Sequence, residues 1–226
     1  MRIKIYQINS NRDVRNVAHE NLERLEAVQG NAQVDAAIYD EVFNAEIDFE
    51  GLEQLYTTFN TNGHPLYRGG EMKVSDVVVT EDGAFFCDSV GFSKIDFDEK
   101  KTQKPDNLLK TVYVEPGRAP YEAEILDTLE AKQKAVEGYI ELVYLRDDII
   151  LIGNEESKLI GMPGNRRLEG GSVIAGPFFL LGDAGEDFRS LTEAEAQAMM
   201  ERFAEPENIS QAEVEADTGF VIYAQL

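Results

Sequence analysis

The stretch NEESKLIGMPGNRRLEGGSVIAGPFF, residues 154–179, holds the densest concentration of glycine, proline, amide and arginine in the chain. It lies between segments with clear strand alternation. Residues 139–145 alternate, 146–148 turn and 149–153 return. This meander makes residues 154–157 a further turn and 158–162 a third strand, followed by a loop through Asn165, Arg166 and Arg167. Residues 173–181 read as the last core strand, interrupted by Gly176-Pro177. A proline cannot donate to a ladder, so the strand lies at an edge or is bulged there.

Downstream, Thr192 and Glu195 have the form of a capping box. Ala196, Met199, Met200 and Phe203 give the helix it opens an apolar stripe. Residues 205–226 read as an acidic tail whose end, 219–224, has a strand pattern that returns it to one of the sheets. Upstream, residues 112–114 form a short strand and Pro116-Gly117 a turn. Pro120 suits a first helical position, Glu122 and Glu124 the positive end of a helix dipole, and Lys132 and Lys134 its negative end. Ile125, Leu129 and Val136 supply the buried stripe. These signals agree on one helix beginning at Pro120, closed by Gly138 as a left-handed cap. Residues 111–204 are thus expected to be an α+β domain, a curled antiparallel sheet with a helix at either end.

The first half has its own order. Ile3, Ile5 and Ile8 mark an opening strand. Ser10 and Asp13 suggest a cap for a helix carrying Val14, Val17, Leu22, Leu25 and Val28, which Gly30 stops. Residues 36–47 read as a second strand. Asp48 caps a helix with Phe49, Leu52, Tyr56 and Phe59 on one face, ended by residues 60–63. Residues 74–79 and 84–88 flank a hairpin turn at Glu81-Asp82-Gly83. The fold class is therefore α+β: two small domains, 1–98 and 111–204, each a mostly antiparallel sheet packed with helices. The connection, 99–110, has no large apolar residue at its start and carries a cluster of lysines. It reads as an exposed linker, or as an electrostatic contact with an acidic neighbour.

Several of these blocks are familiar. The opening Ile5-Tyr6-Gln7-Ile8-Asn9, the helix end Leu55-Tyr56-Thr57-Thr58-Phe59-Asn60, the Val74-Ser75-Asp76-Val77-Val78 strand and the return Cys87-Asp88-Ser89-Val90-Gly91-Phe92 together resemble the YodL-like domain. The resemblance implies a protein of Gram-positive bacteria, their phages or conjugative elements, and no established enzymatic activity. Members commonly read Gly-x-Ser ahead of the Val-Ser-Asp-Val core, where this chain has Gly70-Glu71-Met72. In the second half, the run from Leu129 to Ile140, then Asn154-Glu155-Glu156, Asn165-Arg166, Ala175-Gly176-Pro177-Phe178 and Leu191-Thr192 resemble a short domain of unknown function. That domain recurs in phage and conjugative-element proteins.

Composition narrows the function. Acidic residues outnumber basic ones 43 to 21, for a net charge of −22. Such a surplus repels phosphate, so neither direct contact with nucleic acid nor an anionic membrane surface is expected. The one cysteine, Cys87, rules out an internal disulfide and reads as a small buried hydrophobe. His19 and His64 lie far apart and form no ligand pattern. The first residues alternate like a strand without an apolar leader, and no apolar run reaches membrane-spanning length, so a cytoplasmic protein is expected. No nucleophile–base pair, phosphate loop or metal motif is visible, so no catalytic residue, metal or cofactor is expected.

Two groups of polar residues stand out. Ser75, Asp76, Asp88 and Ser89 place paired carboxylates on adjacent strands, fit for acid–base work or a divalent cation, or for fixing turns. Asn154, Asn165, Arg166 and Arg167 could bind an anion or a partner through guanidinium forks and backbone N–H groups, or fix turns and pair with nearby acids. The leading expectation is a non-enzymatic accessory protein of a phage or conjugative element that binds a host or element protein. Alternatives are an acidic DNA mimic that inhibits a DNA-binding defence factor, and a small-molecule or nucleotide-binding domain using the Asn154–Arg167 region. Oligomeric state is left open.

Overall fold

A computed structural model describes residues 1–31, 33–61, 63–145 and 148–217. The chain divides into two compact units, Met1–Leu108 and Leu109–Leu226. Both are α+β with mostly antiparallel sheets.

In the first unit, β1 (Arg2–Ile8) sits between β2 (Tyr39–Glu46) and β3 (Val77–Thr80), and β4 (Gly83–Cys87) and β5 (Phe92–Ile95) extend the β3 side. β1 alternates as its sequence requires, burying Ile3 and Ile5. Helices α1 (Leu22–Gln29) and α2 (Leu52–Thr61) complete the unit. Tyr6, Leu25, Tyr39, Val77 and Phe86 form a core cluster. At roughly 1.5–3 kcal/mol for each fully buried large apolar side chain, such clusters supply most of the folding drive.

The first helix is shorter than its apolar spacing predicts. It starts at Leu22, capped by the Asn21 side chain, and not at Ser10. Asn16 and His19 take left-handed backbone angles, φ 52° and 72°, which a helix cannot contain. The Asp13 carboxylate caps this irregular turn instead, accepting from the N–H groups of Val17 and Ala18 at 2.9 Å, and Val14 is 86% exposed. Gly30 does end the helix, at φ 83° with its N–H on the Glu26 carbonyl. The second helix starts at Leu52, beyond Phe49, and buries Leu55 and Phe59. The expected turn at residues 60–63 includes residue 62, which lies outside the described residues.

The lysine-rich segment after residue 98 lies against the first unit. Asp98 caps a short 3-10 turn, Glu99–Lys101. Glu99 accepts from Lys4 and from the Tyr6 hydroxyl, each at 2.7 Å. Gln103 joins β2 by backbone bonds to Tyr39 and Glu41, and Lys104 lies 3.2 Å from the buried Glu41 carboxylate. That carboxylate explains the placement, since a buried charge needs a cation beside it.

In the second unit the sheet runs β7 (Tyr121–Leu126), β6 (Leu108–Val114), β12 (Phe178–Asp183), β9 (Ile149–Asn154), β8 (Ile140–Tyr144), and β13 (Phe188–Arg189) pairs with β12. A separate ribbon pairs β10 (Gly164–Arg167) with β11 (Val173–Ala175). Helices α3 (Leu129–Ala135), α4 (Glu193–Arg202) and α5 (Gln211–Ala216) pack around these strands. α4 opens with the expected Thr192–Glu195 capping box and buries Ala196 and Met199, with Phe203 buried just beyond.

Here the structure departs from the expected elements in several places. Residues 121–126 form a strand, not the first turns of a helix. Tyr121, Ala123 and Ile125 point inward and alternate with outward Glu122 and Glu124, a period of two that suits a sheet position. The helix begins only after Thr128, whose side chain caps Ala131 N–H. Its end is set by Glu137, at φ 60°, and not by Gly138. Residues 158–162 are turns with Leu159 76% exposed, and the strand that follows is β10, within the stretch read as a loop.

Gly176-Pro177 is neither an edge nor a bulge. Gly176 at φ 72° turns the chain from the ribbon into the central sheet, so residues 173–181 are two strands in two sheets. Finally, residues 205–217 of the expected acidic tail pack against the ribbon. Ile209 and Val214 bury against Val173 and Ala175, and Ser210 with Glu213 gives α5 its own capping box. The strand expected at 219–224 lies outside the described residues, as does the Arg146-Asp147 part of the expected β8–β9 turn.

Candidate functional site

β10 carries the residues singled out from the sequence. Being extended, it sends Arg166 and Arg167 to opposite sides. Arg166 goes inward and is 1% exposed. Its Nε and Nη2 donate to the Phe203 carbonyl at 3.0 and 2.9 Å, and Nη2 also donates to Arg118 O at 2.6 Å. Its Nη1 donates to the carbonyl and side-chain oxygens of Asn165 at 3.1 and 2.9 Å. All five donors of the guanidinium are thereby engaged. Burial pulls its affinity for a proton down, and Glu207 and Glu205 work against that. Arg166 thus ties the ribbon to the end of α4 and to the β6–β7 turn.

Asn165, fully buried, holds the next contact. Its amide nitrogen donates to Val114 O at 3.0 Å and Gly176 O at 2.8 Å, fixing the point where the chain changes sheets. Arg167 faces out. Its Nη1 meets Glu207 at 2.6 Å and its Nη2 meets Glu213 at 2.6 Å, while its own N–H donates to Glu207 at 2.8 Å. The hydrogen bond it donates to Glu207 leads the causes that raise its pKa.

Asn154 is 2% exposed and lies at the end of β9. Its amide donates to Val136 O and Glu137 O, both at 3.1 Å, and its oxygen accepts from Glu156 N–H at 2.8 Å. One side chain therefore closes α3 and shapes its own turn. A Cβ on Gly138 would collide with this amide, which is why glycine is needed there. Gly138→Ala should destabilise the protein by about 1–3 kcal/mol, read as a lower urea midpoint. The penalty should shrink when Asn154 is also replaced by alanine.

The carboxylates of the first unit have separate partners. Asp88 accepts from Ser89 N–H at 2.8 Å and from the Ser93 hydroxyl at 3.2 Å, holding the β4–β5 turn. Asp76 is wholly buried. Its Oδ2 accepts from Gln7 at 2.8 Å and from Lys73 N–H at 2.9 Å, while Oδ1 has no hydrogen-bond partner among the described residues. Burial pushes its pKa up to about 7, with the Gln7 and Lys73 bonds pulling the other way. Ser75, at φ 82°, accepts from His19 N–H at 3.0 Å. Cys87 is buried, and desolvation carries its thiol up to about 12, far from a nucleophile's range.

A cleft of about 490 Å³ opens in the first unit among Arg15, Gln33, Asp35, Phe97 and Lys101. The Asp35 side chain already caps Ala37 N–H there, and Asp98, also on its wall, caps Lys100 N–H. No group of three metal-ligating side chains converges among the described residues. Nor is any helix among them long and apolar enough to cross a membrane.

Sequence reasoning missed a different feature, the outer edge of β8. Among the described residues, β9 is its only neighbour in the sheet. The segment was legible as a strand, but its place at the edge of the sheet is set by which strands pair, which alternation does not show. The exposed Tyr139 and Tyr144 at its ends, 62% and 63%, were the signal to follow.

The family model described as the YodL-like domain matches residues 2–97. That described as a domain of unknown function, DUF3846, matches residues 109–204. The two halves match two families in series. The YodL-like half includes Asp76 and Asp88, and the DUF3846 half includes the arginine pair and the β8 edge. No curated protein and no solved structure matches the chain.

Proposed function

We propose that this chain is a non-enzymatic accessory protein of a phage or conjugative element that works by binding another protein. The observation that carries this reading is the β8 edge, a strand with backbone groups directed away from its sheet and exposed tyrosines at both ends. Paired-strand edges and exposed aromatic rings are favourable ground for protein recognition. The polar residues that first suggested a ligand site favour it too. Asn154, Asn165 and Arg166 are buried and spend their hydrogen bonds inside the fold. The resemblance of both halves to domains of mobile elements supplies the setting, and a net charge of −22 would steer a basic partner toward the protein.

Affinity capture from a host lysate, at low and moderate salt, tests the reading. A specific protein should be retained, less tightly as salt rises, and should rebind when purified. Recovery of nothing specific at either salt would reject it.

A further inference from the structure

We propose that the outer edge of β8, which has no strand beside it among the described residues, receives an extended, basic segment of a partner protein as an added strand. This deepens the protein-binding reading above and rests on it. The hydrogen bonds to β9 fix which groups are free. Glu155 N–H donates to Tyr139 O at 3.0 Å and Leu145 N–H donates to Ile149 O at 2.8 Å. In an antiparallel pair these bonds recur at every second residue. Tyr139, Glu141, Val143 and Leu145 therefore face β9, and the N–H and C=O groups of Ile140, Leu142 and Tyr144 face away from it. The ladder pairs Ile140–Tyr144 with Asn154–Ile150 without a shift, so this outward row is regular.

Edge strands are usually guarded by proline, lysine, a bulge or extreme shortness. β5, at the far end of the first unit's sheet, follows that rule: it is short, and it carries Lys94. The sequence of β8, Ile-Glu-Leu-Val-Tyr, has none of these. Its one charge is Glu141, half-buried, and this charge selects the guest. Burial raises the Glu141 pKa, and Glu155 adds to the rise. Lys158 opposes them, but its ammonium is already held by Asp217 at 2.7 Å. Glu137, Asp148 and Glu155, all exposed, place further acids at the two ends of the strand. A lysine or arginine opposite Glu141 would relieve this crowding, and an acidic guest would worsen it. A second copy of this chain would bring the same acids against themselves, on top of a net charge of −22 for each molecule.

The test uses the full chain and a fluorescent heptapeptide, Lys-Val-Lys-Val-Lys-Val-Lys, with fluorescence anisotropy as the readout. Two further versions carry N-methyl groups, one on the valine amides and one on the lysine amides. Only one set of amides can face β8 in an added strand. One methylated peptide should bind at least tenfold more weakly, and the other should match the parent. The Glu-Val counterpart should not bind. Leu142→Pro removes an outward N–H while leaving the β9 ladder intact, and it should weaken the parent peptide to the same degree; the methylated peptides give the answer even if this variant folds poorly.

Absence of binding, equal binding of both methylated peptides, or equal binding of the acidic peptide overturns the proposal. So does a concentration-dependent dimer that Leu142→Pro abolishes, because the occupant is then a second copy. A lysate partner retained equally by wild type and folded Leu142→Pro overturns the edge proposal alone and leaves the protein-binding reading standing.

Discussion

Replacing Arg166 by alanine is expected to cost about 3–5 kcal/mol of folding stability, the range of a broken buried polar network. The loss has several parts. The buried carbonyl of Phe203 and both buried oxygens of Asn165 lose this donor, and so does the half-buried carbonyl of Arg118. Each buried acceptor left unsatisfied costs about 1–3 kcal/mol. The cavity left by the side chain adds to this. Lysine should not rescue the fold, because a single ammonium cannot reproduce a planar fork that serves three segments at once. Urea denaturation of Arg166→Ala and Arg166→Lys checks both statements. Near-wild-type midpoints for either variant would show that these acceptors find other donors.

The second large effect concerns pH. Asp76 has a folded-state pKa of about 7, against about 3.9 for an unperturbed aspartate. Between these values the folded protein holds a proton that the unfolded chain has released. Stability from this group therefore falls as pH rises from about 4 to about 7, the reverse of an ion-paired aspartate. At 1.36 kcal/mol per pKa unit, the ionised side chain costs on the order of 4 kcal/mol above pH 7. Asp76→Asn removes the ionisation and leaves an oxygen for Gln7 and Lys73 N–H. The variant should be more stable than wild type at pH 8, with the advantage shrinking toward pH 4. Guanidine unfolding of both proteins from pH 4 to 8 gives the comparison, and parallel curves would mean that Asp76 does not titrate in this window.

How much of this was readable in advance depended on where the deciding contacts lay. The capping box at Thr192, the Gly30 stop and the β3–β4 hairpin rest on residues close in sequence, and they were legible. Residues 121–126 misled because proline, acids and lysines placed at helical positions outweighed a plain two-residue alternation of Tyr121, Ala123 and Ile125. What decided it was a place in the sheet beside β6, set by tertiary pairing. The same is true of Asn16 and His19, whose left-handed angles delay the start of a helix that apolar spacing would begin earlier. Asn165-Arg166-Arg167 stands out in the sequence as an unusual spot, but the sequence could not reveal that Arg166 points inward. Its partners are backbone carbonyls at residues 118 and 203, and a carbonyl leaves no mark in the side-chain code.

The contacts of α5 bear on how the second half could travel between proteins. The family match closes at residue 204, yet Glu207 and Glu213 hold Arg167, Ile209 and Val214 cover the ribbon, and Asp217 accepts from Val173 N–H at 2.7 Å. A recombination event that copied residues 109–204 alone would deliver β10 and β11 stripped of their cover. The module that closes its own core, in the physical sense, is longer than the stretch the family model matches. A new host protein would have to bring its own short amphipathic helix, with an acid to meet Arg167, before the borrowed piece could close.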